Sequence, residues 1–281
     1  MRGSGDQDVE TMKLNLGAGR DWSREGWTTL DHRILRPFRL PYQAWDLPWA
    51  DKTFAVVFSS HMIEHISHFR IERTICEINR IMSPNGILRL LTPDLETLCR
   101  AYVNRDVETL RRFIREDNGG TGNGIREDLG PAQMLLGFLY SPGGDNYLID
   151  SSRSALLGGY AHLFCYDYEL LSNLLKSYGF GSIERKSVDE SAIPDHKWLR
   201  VPAHDIDRGH SLVIECRKEQ YVPFSSKAMV MLNGPYSYEE VVACSKYPLT
   251  KLALGITSRC ENSYRWLRQT AGKLVRRVRG L

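Results

Sequence analysis

The chain has 281 residues, 42% hydrophobic and 25% charged. That is the balance of a soluble globular protein able to bury a sizeable core, as one large or two modest domains. No run of 18 apolar residues occurs, which argues against a membrane-spanning helix. The net charge of +3 hides an asymmetry. Residues 244–281 carry nine Lys/Arg and one acid, a net of +8, against 28 basic and 33 acidic residues elsewhere. An acidic body with a basic tail suggests an anionic partner for the tail.

The opening residues, 1–12, are rich in glycine and acids and are expected to be disordered. The start has no leader-like pattern, and the six cysteines form no CxxC pair, so a reducing, cytoplasmic setting is expected. The first strand is Lys13 to Leu16, and it runs straight into Gly17-Ala18-Gly19. Glycines there let the backbone turn tightly and approach a ligand that a side chain would obstruct. A second strand follows at Thr28 to Asp31, with Asp31 at its carboxyl end. There an acid can accept both ribose hydroxyls, and the blander reading is a surface turn residue. Asp46-Leu47 could end a third strand and meet an adenine edge, with Leu47 or Trp45 against the ring face.

Phe54 to Phe58 is a continuous apolar run, as in a parallel strand buried on both faces, and it opens into Ser59-Ser60-His61-Met62-Ile63-Glu64-His65. Ile71, Ile75, Ile78 and Met82 keep helical spacing until Ser83-Pro84-Asn85-Gly86 stops the helix. Ile87 to Thr92 is another buried strand, and Pro93-Asp94 starts a helix through Tyr102. Residues 104–160 read as an insertion or lid, because 118–150 is glycine-rich around one apolar piece, Met134 to Tyr140. Regular structure resumes with a helix at Tyr168 to Tyr178, then strands at Ser182 to Val188 and Ser211 to Cys216. Strand and helix alternate as in a doubly wound α/β sheet, and the two closing strands suggest an antiparallel edge.

A dinucleotide fingerprint wants GxGxxG and an acid about 20 residues on. Here Trp22 stands where the third glycine would be, and Asp31 comes too early. A phosphate-binding GxxxxGK[ST] loop is absent. A Gly-x-Gly turn without a pyrophosphate suits the methionine end and ribose of S-adenosylmethionine.

Four blocks carry a family resemblance: KLNLGAGR, GWTTLD, WDLPWADKTFAVVFSSHMIEHI and EINRIMSPNGILRLLTPDLE, with a weaker echo in AHLFCYDYELLSNLLKSYGF. In their order and spacing the chain resembles class I S-adenosylmethionine-dependent methyltransferases of the type 11 group. The resemblance implies a Rossmann-like seven-stranded sheet, mostly parallel with the last strand antiparallel, and cofactor at the carboxyl ends of the strands. It places the domain at 13–217 and carries cofactor contacts onto Asn15, Leu16, Gly17, Ala18, Gly19, Asp31, Asp46, Leu47, Ser60 and His61. Many relatives have an acid where this chain has Asn15, a third glycine at Arg20 or Asp21, and Asp at Ala55.

In that family the segment after the fourth strand passes beside the transferred methyl group, so Ser60 and His61 would line the site. A hydroxyl acceptor benefits from a base, and a histidine can be poised near pH 7. His61 is the first candidate and His162, beside the insertion, the second. Each also has a plainer reading as a positioning or packing residue. Glu64 and His65 are expected to fix the loop. His61-x-x-Glu64-His65 matches the HxxEH zinc pattern, but no third ligand stands out downstream and no metal is expected.

The expected activity is methyl transfer to a hydroxyl of a sugar, saccharide or other small molecule. The alternative is a methyltransferase-fold binding partner with little activity of its own. In the extension at 218–281, Cys260, Tyr264, Leu267, Ala271, Leu274, Val278 and Leu281 make an apolar stripe flanked by arginines. That basic amphipathic helix fits a membrane surface or a partner, or a terminal helix docked on the body. Nucleic acid is not expected, because no basic-aromatic groove shows.

Overall fold

The computed structural model describes residues 12–19, 22–31, 43–66, 70–117, 128–140, 162–194, 196, 199 and 210–224. By internal contacts the chain divides into Met1–Phe224 and Ser225–Leu281. The second unit, and with it the expected basic helix, lies outside the described residues, as does the expected N-terminal disorder.

The strands are β1 (Lys13–Leu16), β2 (Trp27–Leu30), β3 (Phe54–Ser60), β4 (Met82–Pro93), β5 (Phe180–Arg185) and β6 (Ser211–Lys218). They form one sheet in the order β2-β1-β3-β4-β6-β5. The first four run parallel. β6 is antiparallel to both β4 and β5, which bears out the antiparallel closing strand. Apolar residues buried on both faces hold the centre: Leu14 and Leu16 of β1, Phe54, Val57 and Phe58 of β3, and Leu88 and Leu90 of β4.

The chain leaves β1 toward β2 on one side and reaches β3 on the other. This is a topological switch point, where the crevice at the carboxyl ends of the strands receives ligands. Those ends carry the glycine turn after β1, Asp31 after β2 and His61 after β3.

Among the described residues the sheet has six strands, against seven expected. Asp46-Leu47 does not end a strand. Gln43 and Asp46 form an isolated bridge across a tight turn, in which the Asp46 N–H donates to the Gln43 carbonyl at 3.0 Å. Leu47 is then drawn onto helix α1 (Ile71–Ile81): its N–H donates to Glu77 Oε2 at 3.0 Å and its carbonyl accepts from Arg80 at 3.1 Å.

α1 buries Ile71, Ile75, Ile78 and Ile81, a stripe of helical spacing. Its end is marked by Met82, already extended, and β4 begins there rather than at Ile87. The register jumps from Phe54 opposite Met82 to Val56 opposite Ile87, so Ser83 to Gly86 loop out of the ladder. The buried Lys218 ammonium closes the helix by donating to the carbonyls of Asn79 and Met82, each at 2.7 Å.

Helices α2 (Leu95–Val103), α3 (Val107–Asp117) and α4 (Pro131–Tyr140) pack as a cluster around Leu98, Leu110, Phe113, Met134 and Phe138. The described part of the expected insertion is therefore helical, and 118–127 and 141–161 lie outside the described residues. Helix α5 (Tyr168–Ser177) follows, capped by the Asp167 carboxylate, which accepts from Leu170 N–H at 2.8 Å. On the sheet, the buried Arg89 guanidinium pairs with Glu215 at 2.7 Å and donates to the carbonyls of Glu190 and Val188. That pins the 188–190 loop over β4. No helix among the described residues is long and apolar enough to cross a membrane.

Candidate active site

Gly17 and Gly19 both adopt left-handed φ, +80° and +74°, a region where a side chain is strained. The Gly17 and Ala18 N–H groups both point to the Leu30 carbonyl, at 2.8 and 3.3 Å, which folds the turn over the end of β2. The Gly19 N–H donates to Asp31 Oδ2 at 2.8 Å. Asp31 is thus seated on the glycine turn and buried.

The turn is also joined to the segment after β3. Ser59 Oγ donates to the Leu16 carbonyl at 2.8 Å. The Met62 side chain lies directly on Gly17: a Cβ there would fall 2.5 Å from Met62 Cγ. Gly17 must therefore be glycine on two counts, φ and space.

His61 closes β3. Its N–H still pairs with the Leu91 carbonyl of β4 at 2.9 Å, but its φ is +49°. Histidine tolerates the left-handed region better than most residues, and strain of this kind concentrates at functional sites. The ring is held at both nitrogens. Nδ1 lies 3.1 Å from Glu64 Oε1, and Nε2 lies 3.1 Å from Ser211 Oγ. Glu64 is completely buried. Burial alone would raise its carboxyl, but the His61 contact and the charges of His61, His65 and His162 outweigh that and hold it at about 2, against an ordinary 4.5. The His61–Glu64 pair is a close charge contact and not an aligned hydrogen bond, and an ionised carboxylate beside Nδ1 favours the His61 proton there. Nε2 is then the basic nitrogen, and Ser211 donates to it.

Glu64 also anchors the chain locally. Its Oε2 accepts from Thr92 Oγ1 at 3.4 Å, and its carbonyl accepts from the N–H groups of Leu163 and Phe164 at 2.7 and 3.2 Å. His162, buried, places Nδ1 3.1 Å from the Phe138 carbonyl, and its ring centre lies 5.1 Å from that of His65.

The structure thus brings Leu16, Gly17, Gly19, Asp31 and the Ser59–Met62 segment together at one end of the sheet. Asn15 is buried within β1, and Ser60 sits half-buried at the end of β3. Leu47 is tied to α1, and the Arg70 guanidinium stacks over the face of Trp45, 5.3 Å from the ring centre. Ser211, which completes the His61 arrangement, had no signal in the sequence, being the unremarkable first residue of an edge strand 150 positions away.

Residues 34–90 match the family model described as a methyltransferase domain. No curated protein matches the chain. Among solved structures, the chain is similar to the DszA carbon methyltransferase (12% identity, TM-score 0.39), covering 78% of this chain and 49% of that one. It is similar to a putative S-adenosylmethionine-dependent methyltransferase from Listeria monocytogenes (14% identity, TM-score 0.36), over 76% of this chain and 93% of that one. A third is human N-acetylserotonin methyltransferase in complex with its cofactor (10% identity, TM-score 0.37), over 76% and 49%. The chain spans about half the length of the DszA and human structures. Likenesses this distant add nothing to the geometry, and the family match covers residues 34–90, downstream of the glycine turn and Asp31. Over residues 34–90, then, the chain is similar to a methyltransferase domain.

Proposed function

We propose that the protein transfers the methyl group of S-adenosylmethionine to a hydroxyl of a sugar, saccharide or other small molecule, with His61 as general base. One observation carries this reading: the glycine turn and the His61 segment pack on each other, through Met62 on Gly17 and Ser59 on Leu16. Cofactor turn and candidate base therefore share one crevice.

The bound cofactor supplies an electrophilic methyl on a sulfonium, and everything else falls to the chain. The Gly17–Gly19 turn admits the cofactor's backbone-facing edge, and Asp31 accepts the ribose hydroxyls. Asn15, Ala18 and Ser60 border the turn, and Asp46 and Leu47 are assigned to the adenine side. The acceptor oxygen takes the place that Ser211 Oγ holds against His61 Nε2. As methyl transfer to that oxygen proceeds, His61 Nε2 would take up the hydroxyl proton. Glu64 steadies the imidazolium so formed. Positioning acceptor and methyl in line supplies much of the acceleration, and the base adds about 10²–10⁴-fold.

The test is release of S-adenosylhomocysteine across a panel of hydroxyl and amine acceptors. His61→Gln is expected to lower kcat by about 10²–10⁴-fold on a hydroxyl acceptor. Equal kcat in wild type and variant would remove the base role. Cofactor binding with no turnover on any acceptor would favour the binding-partner alternative. A cytoplasmic protein with a tail that touches anionic membranes completes the reading. Its support is the +8 charge of 244–281, and deletion of that segment should abolish partition onto anionic liposomes.

A further inference from the structure

Three histidines surround Glu64, and the methyl-transfer reading uses only His61. One oxygen of Glu64 and one ring nitrogen each of His65 and His162 all lie within 4.8 Å of one another. We propose that Glu64, His65 and His162 form a binding site for a borderline divalent cation of the zinc class.

Three lines of chemistry support it. The donor set is two imidazoles and one carboxylate, which suits zinc and its first-row neighbours and leaves coordination positions open. Ligand atoms about 2.0–2.2 Å from a tetrahedral zinc stand roughly 3.4 Å apart, so modest rotamer adjustment closes a set that already lies within 4.8 Å. The supporting contacts are those that metal ligands use. Because the Phe138 carbonyl can only accept, its contact with His162 Nδ1 places the proton there and makes Nε2 the lone-pair nitrogen. Thr92 holds the second Glu64 oxygen, while Oε1 is buried without an aligned hydrogen bond, although His61 Nδ1 is 3.1 Å away.

A nearby group points the same way. The Tyr166 hydroxyl, two residues beyond the Phe164 N–H that donates to the Glu64 carbonyl, is buried and has no hydrogen-bond partner among the described residues. A cation that keeps water in its open positions gives such a group a partner. The HxxEH pattern therefore marks a different ligand set from the one its spacing suggests: His65 and Glu64 ligate, His61 stands between Glu64 and Ser211, and the third ligand, His162, arrives from far along the chain. The cation stitches the return from the insertion, at His162, to the end of β3.

This inference stands apart from the methyl-transfer reading, because it is measured without cofactor or acceptor. Untagged full-length protein is stripped with a chelator, then titrated with Zn²⁺ by calorimetry and with Co²⁺ by visible absorption. One equivalent is expected, with d–d bands and no near-ultraviolet thiolate band that would betray the exposed Cys99. His65→Ala and His162→Ala should each weaken binding by on the order of 100-fold or more, while His196→Ala leaves it unchanged. If His162→Ala does not fold, the half-buried His65, changed to Ala or Asn, carries the same test. Absence of binding in folded wild-type protein, or binding that survives both substitutions, would overturn the site and leave Glu64 as a counter-charge to its histidines.

Discussion

Gly17 illustrates how one residue couples two elements. Its φ of +80° strains any L side chain, and a Cβ would press on Met62 at 2.5 Å. Gly17→Ala is expected to cost about 1–2 kcal/mol from the left-handed backbone alone. In a domain of this size that lowers Tm by about 2–4 °C per kcal/mol. Because the turn itself is displaced, affinity for S-adenosylhomocysteine should fall further than stability does, by tenfold or more. Unchanged affinity by calorimetry would detach the turn from the cofactor. His210 yields a prediction of another kind. Burial holds its imidazole below the ordinary 6.5, and the Arg112 charge adds to that, while the ring packs edge-on against Phe113. The unfolded chain takes up this proton near pH 6.5, whereas the folded one resists it. The contribution to stability is thus intact above 6.5 and is lost as the pH falls toward the lower folded value. Between about pH 7.5 and 5.5 the wild type should lose more Tm than His210→Gln does. Equal losses would contradict the assignment.

At the scale of elements, Asp94 sets the start of α2. Its Oδ1 accepts from the Glu96 N–H at 3.1 Å, its Oδ2 accepts from Thr97 Oγ1 at 2.9 Å, and Arg185 of β5 pairs with it as well. Asp94→Ala should cost about 1–2 kcal/mol in urea unfolding, and Asp94→Asn, which keeps the cap, distinctly less. Such elements were legible wherever the signal is local. β1 and β3 are short apolar runs bounded by glycine, serine or charge. α1 shows its isoleucine stripe, and α5 has Asp167 before its leucines. α3 was missed although Asp106 caps it and Val107, Leu110 and Ile114 keep helical spacing, because charged residues dilute that stripe beside a glycine-rich stretch. α4 was read only as an apolar piece, since apolar residues on every side hide the period that buries Met134 and Phe138. The candidate site divides in the same way. The glycine turn, Asp31 and His61 are each marked by neighbours in the chain. Ser211 beside His61 and His162 beside Glu64 are products of tertiary folding, which local spacing does not encode.

For the whole molecule, the sheet order puts β1 between β2 and β3 and gathers three strand ends into one crevice. The turn at Gly17 to Gly19, Asp31 and His61 belong to three separate segments, and the parallel pairing alone makes them neighbours. The antiparallel β6 then delivers Ser211 to the same end, opposite Pro93 of β4. The proposed methyl transfer depends on one claim: the crevice holds S-adenosylmethionine. Calorimetric titration of the full chain with S-adenosylhomocysteine tests it most directly. The account predicts one site of micromolar or tighter affinity that Asp31→Ala weakens by at least tenfold. A folded protein that shows no binding, or binding indifferent to Asp31, would contradict it.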